Sequence, residues 1–518
     1  MSATSAEPRP RTRVSPLRVL IVLVCVAAVA GVGVRAVRGL VAAAVTPGPS
    51  AFSPYVDVTA WPSYAFETPA GPAQSHVTLA FVVADPAQTC TPSWGGYYTL
   101  DGAASSIDLD RRITQLRSTG GDVRVSFGGQ ANSELATVCT DPDRLATAYR
   151  SVVDRYDLTS IDLDLEGAAL QDSAGMARRA AAVATVQQQV DKAGRPLAVW
   201  LTLPAGQTGL TAPGEQAVTA MLAAGVDVAG VNAMTMDFGV ATSAAAPLYP
   251  VVEKAADAVH TQVVSLFGKA GRSLGQAQSW AKVGLTPMIG QSDEKSEQFT
   301  LTDAAQVNQY ARDHGVGLVS MWSLNRDATC APPLPSVTTV VQSTCSGVDQ
   351  RGVSFADTLS SDLPAPVLSS TASASGTPTA APVPTSAPTS AVDDPAHSPY
   401  PIWDPLGTYP GGTKVVWRHN VYQARYWTSG VAPDTAVANP LDSPWTLLGP
   451  VMPGDTPSPL PTLPAGSYPQ WNPQQAYVAG TRVQLGLVPY EAKWWTQGQQ
   501  PGTAVAGGSP WVLVIPSS

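Results

Sequence analysis

Thr159–Gly167 reads T-S-I-D-L-D-L-E-G. Acids stand at alternate positions, Asp162, Asp164 and Glu166, with Ile161, Leu163 and Leu165 before and between them. Strict alternation is the signal of a strand. Successive strand side chains point to opposite faces, so the three carboxylates share one face and the aliphatics the other. Neighbouring acids then lie about 6.6 Å apart, from a rise of about 3.3 Å per residue. Three like charges this close resist joint ionisation, so at least one is expected to hold its proton well above the usual range. The plainer alternative is an amphipathic strand with a solvated acidic face. Aspartate is depleted in strands, and the other face is as apolar as burial requires, so the stretch reads as a site.

The chain around it alternates apolar runs with helical patterns. Strands are expected at Tyr55–Thr59, Val77–Val83, Val123–Phe127, Ser160–Leu165, Leu197–Leu203, Val228–Met234, Val283–Ile289 and Leu318–Trp322. Alanine-rich helical stretches lie between most of them, among them Arg144–Tyr156, Met176–Ala193, Glu215–Ala224, Ala255–Phe267 and Ala304–His314. Strands alternating with helices over residues 51–356 predict an α/β fold with a closed eight-stranded parallel barrel. A doubly wound open sheet is the alternative. It usually carries a glycine-rich turn after its first strand, and none follows Tyr55–Thr59.

In a parallel barrel the active site lies at the C-terminal ends of the strands. The third expected strand ends S-F-G-G (Ser126–Gly129), the fourth in the acids, the sixth in N-A-M-T-M-D-F-G (Asn232–Gly239) and the eighth in S-M-W-S-L-N-R-D (Ser320–Asp327). Asp237 is placed to join the acids from the side, and Trp322 to floor the pocket under a flat ligand.

The whole chain bounds the rest. It has 518 residues, 44% hydrophobic and 13% charged, with a formal net charge of −9. That is no footprint for nucleic acid. The five histidines show no metal-ligand spacing, so no metal and no cofactor are expected. A basic stretch, 1–18, precedes an apolar segment, 19–40, whose uncharged run is Val19–Val34. A basic flank before an apolar run is an export signal. The reading is an extracellular protein, secreted or held at the surface by an uncleaved single-pass anchor in contact with the membrane. Outside that run four cysteines remain, and the favoured pairing is Cys90–Cys139 with Cys330–Cys345.

Residues 360–398 hold an uncharged Ser/Thr/Pro/Ala stretch that cannot bury enough apolar surface to fold, and they read as a disordered linker. Two small units follow, 399–452 and 466–516. Trp403, Tyr409, Gly412, Val415, Tyr422, Ala424, Trp427, Gly430 and Pro433 recur 68 positions later, from Trp471 to Pro501. That is a duplication.

These motifs resemble those of glycoside hydrolase family 18, the chitinases and their relatives. The acid stretch is similar to the family's D-x-x-D-x-D-x-E and S-F-G-G to its S-x-G-G, and the match runs from about Tyr55 to Asp327. The resemblance implies a (β/α)8 barrel that hydrolyses β-1,4-linked N-acetylglucosamine polymers with the help of the substrate's own acetamido group. It makes Glu166 the general acid, Asp164 the partner of the acetamido group and Asp162 the tuning charge, with Ser126, Gly129, Asn232, Met234, Asp237 and Trp322 as substrate-binding candidates. The first acid of the family pattern is Thr159 here, and Met236 stands where the family usually has a tyrosine. The 399–452 and 466–516 units resemble type-3 chitin-binding modules (carbohydrate-binding family 5/12), whose A-x-W-W-T appears as Ala492–Thr496; Tyr426, Trp427, Trp494 and Trp495 are the expected sugar-stacking faces. The expected partner is chitin or a related polymer, the chain a monomer and the cleavage endo. The alternatives are a non-catalytic chitin-binding protein, or an endo-β-N-acetylglucosaminidase acting on N-glycans or peptidoglycan.

Overall fold

Every second residue of the acid stretch turns into the middle of a closed sheet. The computed structural model describes residues 51–243, 245–364, 393–437, 442–457, 460, 462–502 and 509–514. The parallel strands are β1 (Tyr55–Asp57, with Ala51–Phe52 leading into it), β2 (His76–Ala84), β3 (Asp122–Gly128), β4 (Ser160–Asp164), β5 (Ala198–Gly206), β6 (Val228–Met234), β7 (Val283–Thr286) and β8 (Leu318–Val319). Each pairs with the next in order. Ala51–Phe52 pairs with β8 while Tyr55–Asp57 pairs with β2, and this closes the barrel.

Helices α1 (Leu109–Ser118), α2 (Pro142–Arg155), α3 (Ser173–Lys192), α4 (Ala212–Ala223), α5 (Tyr249–Lys269), α6 (Leu301–His314) and α7 (Phe355–Ser360) follow β2 to β8 in turn. Local chemistry sets their ends. At α2, Asp141 accepts from the Asp143 and Arg144 amides ahead of Pro142, and Leu145, Tyr149, Val152 and Val153 form the buried stripe. Thr300 and Asp303 form a capping box at the start of α6. Ile161, Leu163 and Leu165 of the acid stretch are buried in the same core.

Four paired segments are shorter than expected. β1 stops at Asp57, β4 at Asp164, β7 at Thr286 and β8 at Val319. Beyond the last three the chain stays extended but leaves the ladder to build the mouth, as at Leu165, whose amide donates to Thr202 O at 3.0 Å. Helix α7 crosses the expected boundary at 356 because Phe355, Ala356 and Leu359 are buried in the barrel core. At the far end of the expected linker, Asp393 is buried and its carboxylate accepts from the Arg418 and His419 amides at 2.8 and 2.6 Å. These two margins of 360–398 are therefore ordered.

The disulfides Cys90–Cys139 and Cys330–Cys345 are both closed. The segments 1–18 and 19–40 and the Ser/Thr/Pro/Ala stretch from 365 to 392 lie outside the described residues. Among the described residues no helix is long and apolar enough to cross a membrane, and none of their His, Cys, Asp and Glu groups could hold a metal ion.

Each repeat contains a three-stranded antiparallel sheet. The first has Lys414–Trp417, Asn420–Ala424 and Trp445–Pro450; the second has Arg482–Leu485, Val488–Ala492 and Trp511–Leu513. Trp403, Tyr409, Tyr422 and Trp445 fill the first core, and Tyr477, Tyr490 and Trp511 the second. The matching aromatics are thus mostly core, whereas Tyr426 and Trp427 and, in the second copy, Trp495 stand exposed, with Trp494 half-buried.

Candidate active site

Asp162 is the deepest of the three acids and the most tightly held. Ser126 Oγ of β3 and Tyr55 Oη of β1 donate to its Oδ2 at 2.7 and 2.8 Å, and Thr202 Oγ1 of β5 donates to its Oδ1 at 2.6 Å. Burial pushes the Asp162 carboxyl up, while these three donors and the buried Arg124 guanidinium favour its charged form. Thr202 in turn accepts from Asn232 Nδ2 at 3.0 Å, and Asn232 exchanges hydrogen bonds with Thr286 at 2.6 and 2.9 Å. A chain of hydroxyls and an amide therefore fixes the barrel floor from β1 to β7.

Asp164 is different. It lines the cleft at the barrel mouth, and among the described residues its buried Oδ1 has no hydrogen-bond partner. Burial, then the charges of Glu166 and Asp162, push its carboxyl well above the carboxylate range. Its carbonyl oxygen is fixed from the neighbouring strand end, where Gly129 N donates to it at 3.0 Å. Gly128 has φ +102°, and a Cβ there would meet that same carbonyl at 2.1 Å, so only glycine lets the two chains approach.

Glu166 lies two residues past the ladder, still extended at φ −132°, just before the short helix Gly167–Gln171. The extended backbone carries the alternation into the mouth. Burial raises its carboxyl to about 7, helped by the charges of Asp237 and Asp293 across the cleft. The shift thus comes first from burial and then from acids on other elements, where the spacing along the strand had pointed to the ladder itself.

Tyr55, Phe81, Gln130, Thr202, Met234, Met236, Asp237, Thr286, Met288, Asp293 and Trp322 complete the lining. Phe81 and Trp322 stack at 5.5 Å between ring centroids, with Tyr55 tilted against both at 6.2 and 6.0 Å. Together they make an apolar wall opposite the acids. Ser292, on the loop after β7, donates to Asp237, and Glu297 accepts from Phe238 N at 2.9 Å. That loop thereby anchors the turn after β6.

Of the substrate-binding candidates, Met234, Asp237 and Trp322 line the cleft. Ser126 and Asn232 do not: both are fully buried and spend their polar atoms on Asp162, Thr202 and Thr286. Gly129 is absent from the lining, and a Cβ there would meet the Phe81 ring at 2.8 Å. Tyr55, Phe81, Gln130, Thr202, Thr286, Met288 and Asp293 had not been singled out. Asp293 had a signal: it sits in an acid-rich run, Ser292–Glu297, just past the seventh expected strand.

A closed parallel barrel with buried carboxyl groups and an aromatic wall at its C-terminal mouth is the arrangement of a glycoside hydrolase catalytic domain. The comparisons with known proteins support a domain of the family 18 type for the barrel. The chain is 38% identical over 255 residues to a probable bifunctional chitinase/lysozyme of Escherichia coli K12, covering 49% of this chain and 28% of that protein. It is 36% identical over 263 residues to endochitinase 11 of Metarhizium anisopliae, covering 50% and 48%. The chain thus spans less than half the length of either relative. Among solved structures, active domain 2 of a Pyrococcus furiosus chitinase matches with a TM-score of 0.50 and 27% identity over 60% of this chain and 93% of that one. No protein-family model matches the chain.

Proposed function

We propose that the barrel is a chitinase that cleaves β-1,4-linked N-acetylglucosamine polymers with retention of configuration. The observation that carries this reading is the pairing of Glu166, whose carboxyl is raised to about 7, with the buried and unpartnered Asp164 Oδ1 in one cleft. A general acid near neutral pH needs such a raised carboxyl.

The roles follow from depth. Glu166, at the mouth, protonates the oxygen of the leaving sugar. The acetamido carbonyl of the retained sugar attacks its own anomeric carbon, closing an oxazolinium ring as the glycosidic bond breaks. Asp164, with an oxygen free to pair, takes the acetamido N–H and steadies the positive ring. Asp162, pinned by three donors, supplies the fixed negative charge beneath. Glu166 then takes a proton from water as it opens the ring. The Phe81–Trp322 wall receives the flat face of the sugar. Met236 lines the cleft at the position of the family tyrosine, so the acetamido carbonyl is held here without that phenol.

The two repeats are proposed as chitin-binding modules whose exposed Tyr426, Trp427 and Trp495, with Trp494 beside them, stack on sugar rings of the insoluble polymer. Endo cleavage is the reading favoured by the short β7–β8 connection. The setting proposed is extracellular, with the segment 19–40 as signal or anchor.

The test is Glu166→Gln against a fluorogenic chitotrioside and colloidal chitin. Loss of turnover with retained polymer binding supports the assignment; unchanged turnover rejects it, and a parent chain that binds polymer without turnover leaves a purely binding role. A second arm compares colloidal chitin with peptidoglycan, since the name of the Escherichia coli relative joins chitinase with lysozyme.

A further inference from the structure

The two repeats have diverged on one face of their sheets, and the first copy meets the barrel. In the first unit Val416, Val421 and Leu448 form a second apolar cluster, apart from the aromatic core, with Tyr400, Ile402 and Val451 packed against it. The residues 68 positions on from Ile402, Val416 and Val421 are Gln470, Gln484 and Pro489. Gln484 is buried, and its Nε2 donates to Leu463 O and Pro464 O in the segment just before its unit. The second copy therefore closes this face with a polar side chain and its own preceding segment. The first keeps it apolar.

The charged residues diverge in the same way. In the second unit Arg482 pairs with Glu491 of its own sheet at 2.8 Å and is 51% exposed. Its counterpart Lys414 reaches out of the first unit to Asp108 of the barrel at 2.5 Å and is 19% exposed. Asp108 stands at the residue before α1, where its side chain makes no capping bond to the helix, and it is buried. Tyr400 Oη donates to the same carboxylate at 3.0 Å. One turn along, Arg111 donates to Pro450 O at 2.5 Å and pairs with Asp455 Oδ2 at 3.0 Å. Charges alternate across the contact: Asp108 and Arg111 on the barrel meet Lys414 and Asp455 on the unit. Gly449, at φ +138°, lies so close to α1 that a Cβ there would meet Arg111 O at 2.7 Å.

We infer that the outer face of α1 is a docking surface for the chain's own first repeat, Asp393–Asp455, which is a fixed part of the catalytic body and not a module swinging on a tether. The covalent connection between barrel and repeat raises their effective concentration, so an interface of modest intrinsic affinity suffices to stay closed. Asp108 supplies the specificity: Lys414 and Tyr400 reach its buried carboxylate, whereas their counterparts Arg482 and Tyr468 bond to each other and Arg482 pairs with Glu491 inside the second unit.

The inference is independent of the proposed activity and needs no substrate to test. Spin labels are placed at Ala193→Cys beyond α3 and Ala436→Cys in the first unit, in the full chain carrying Cys25→Ser, and their separation is read by pulsed electron spin resonance. A single narrow distance distribution is expected. A broad distribution in this otherwise unaltered chain overturns the inference. Lys414→Glu is expected to broaden it while Arg482→Glu leaves it narrow. A distribution that stays narrow in Lys414→Glu overturns the role given to the Asp108 contact. Both lysine and arginine lie on small surface sheets, and unchanged far-ultraviolet circular dichroism and thermal melting of the barrel show that the broadening is undocking and not unfolding.

Discussion

The phenol of Tyr55 donates to Asp162 Oδ2 at 2.8 Å, joining the first barrel strand to the fourth across 107 residues of chain. Tyr55→Phe removes one of three donors to the deepest acid and leaves its aromatic wall in place. Loss of one charge-assisted hydrogen bond of about 1.5–3 kcal/mol is expected to lower kcat by about 10- to 100-fold. KM for a chitotrioside is expected to change little, and steady-state kinetics on purified protein decide it. An equal fall in kcat for Ser126→Ala would show that Asp162 depends on its donors collectively.

The raised carboxyl of Glu166 fixes the sign of the pH dependence. The acid is protonated below about 7 and loses its proton above it, so kcat/KM on a soluble oligomer falls as pH rises through about 7. Asp237 and Asp293 both push Glu166 up. Asp293→Asn is therefore expected to move this basic limb to lower pH. Asp293 is itself exposed and screened by solvent, so the displacement is small and shrinks with added salt. A limb that moves upward contradicts the assignment.

The same shift carries a stability cost. The folded carboxyl of Glu166 holds its proton to about 7, while the unfolded one releases it near 4.5. Stability from this group is complete below 4.5 and is lost progressively as pH rises to about 7. Glu166→Gln removes the penalty. It is expected to be more stable than the parent by on the order of 1–3 kcal/mol above about pH 7 and equal to it at about pH 4, as read by urea unfolding.

Gly128→Ala tests the close approach of β3 to β4. A methyl group there meets the Asp164 carbonyl, and φ +102° is strained for alanine. Loss of about 2–4 kcal/mol of stability is expected, together with a fall in turnover larger than that of a surface Gly→Ala change.

Trp427 and Trp495 are 64% and 60% exposed. Trp427→Ala and Trp495→Ala are each expected to weaken binding to insoluble chitin by about 10-fold or more, with turnover of soluble chitotrioside unchanged. Pull-down on crystalline chitin, run beside the soluble assay, separates the two effects.

The barrel was legible because its strands alternate or run apolar at regular spacing, and because Thr159–Gly167 shows its two faces residue by residue. Depth was less legible. Ser126 sits at a strand end, yet it faces a layer already occupied by Asp162 and never meets the cleft. Asn232 is similar, caught between Thr202 and Thr286. Tyr55, Phe81 and Asp293 reach the cleft from three separate elements, and no local pattern brings them together. The ordered margins of the linker were hidden for a different reason. Composition reports what a segment can bury alone, while Phe355 and Asp393 are buried by partners far away in the chain.

Met234, Met236 and Met288 all line the cleft. Where relatives of this type usually present a phenol, this one presents thioethers. Peroxide converts a thioether to a sulfoxide, a larger group with a strong dipole. Beside a cleft built to hold a neutral carboxyl and a transient cation, such a dipole changes both the shape and the field the sugar meets. On the proposed activity, oxidation of Met236, the least buried of the three, would change turnover, and a methionine sulfoxide reductase would restore it.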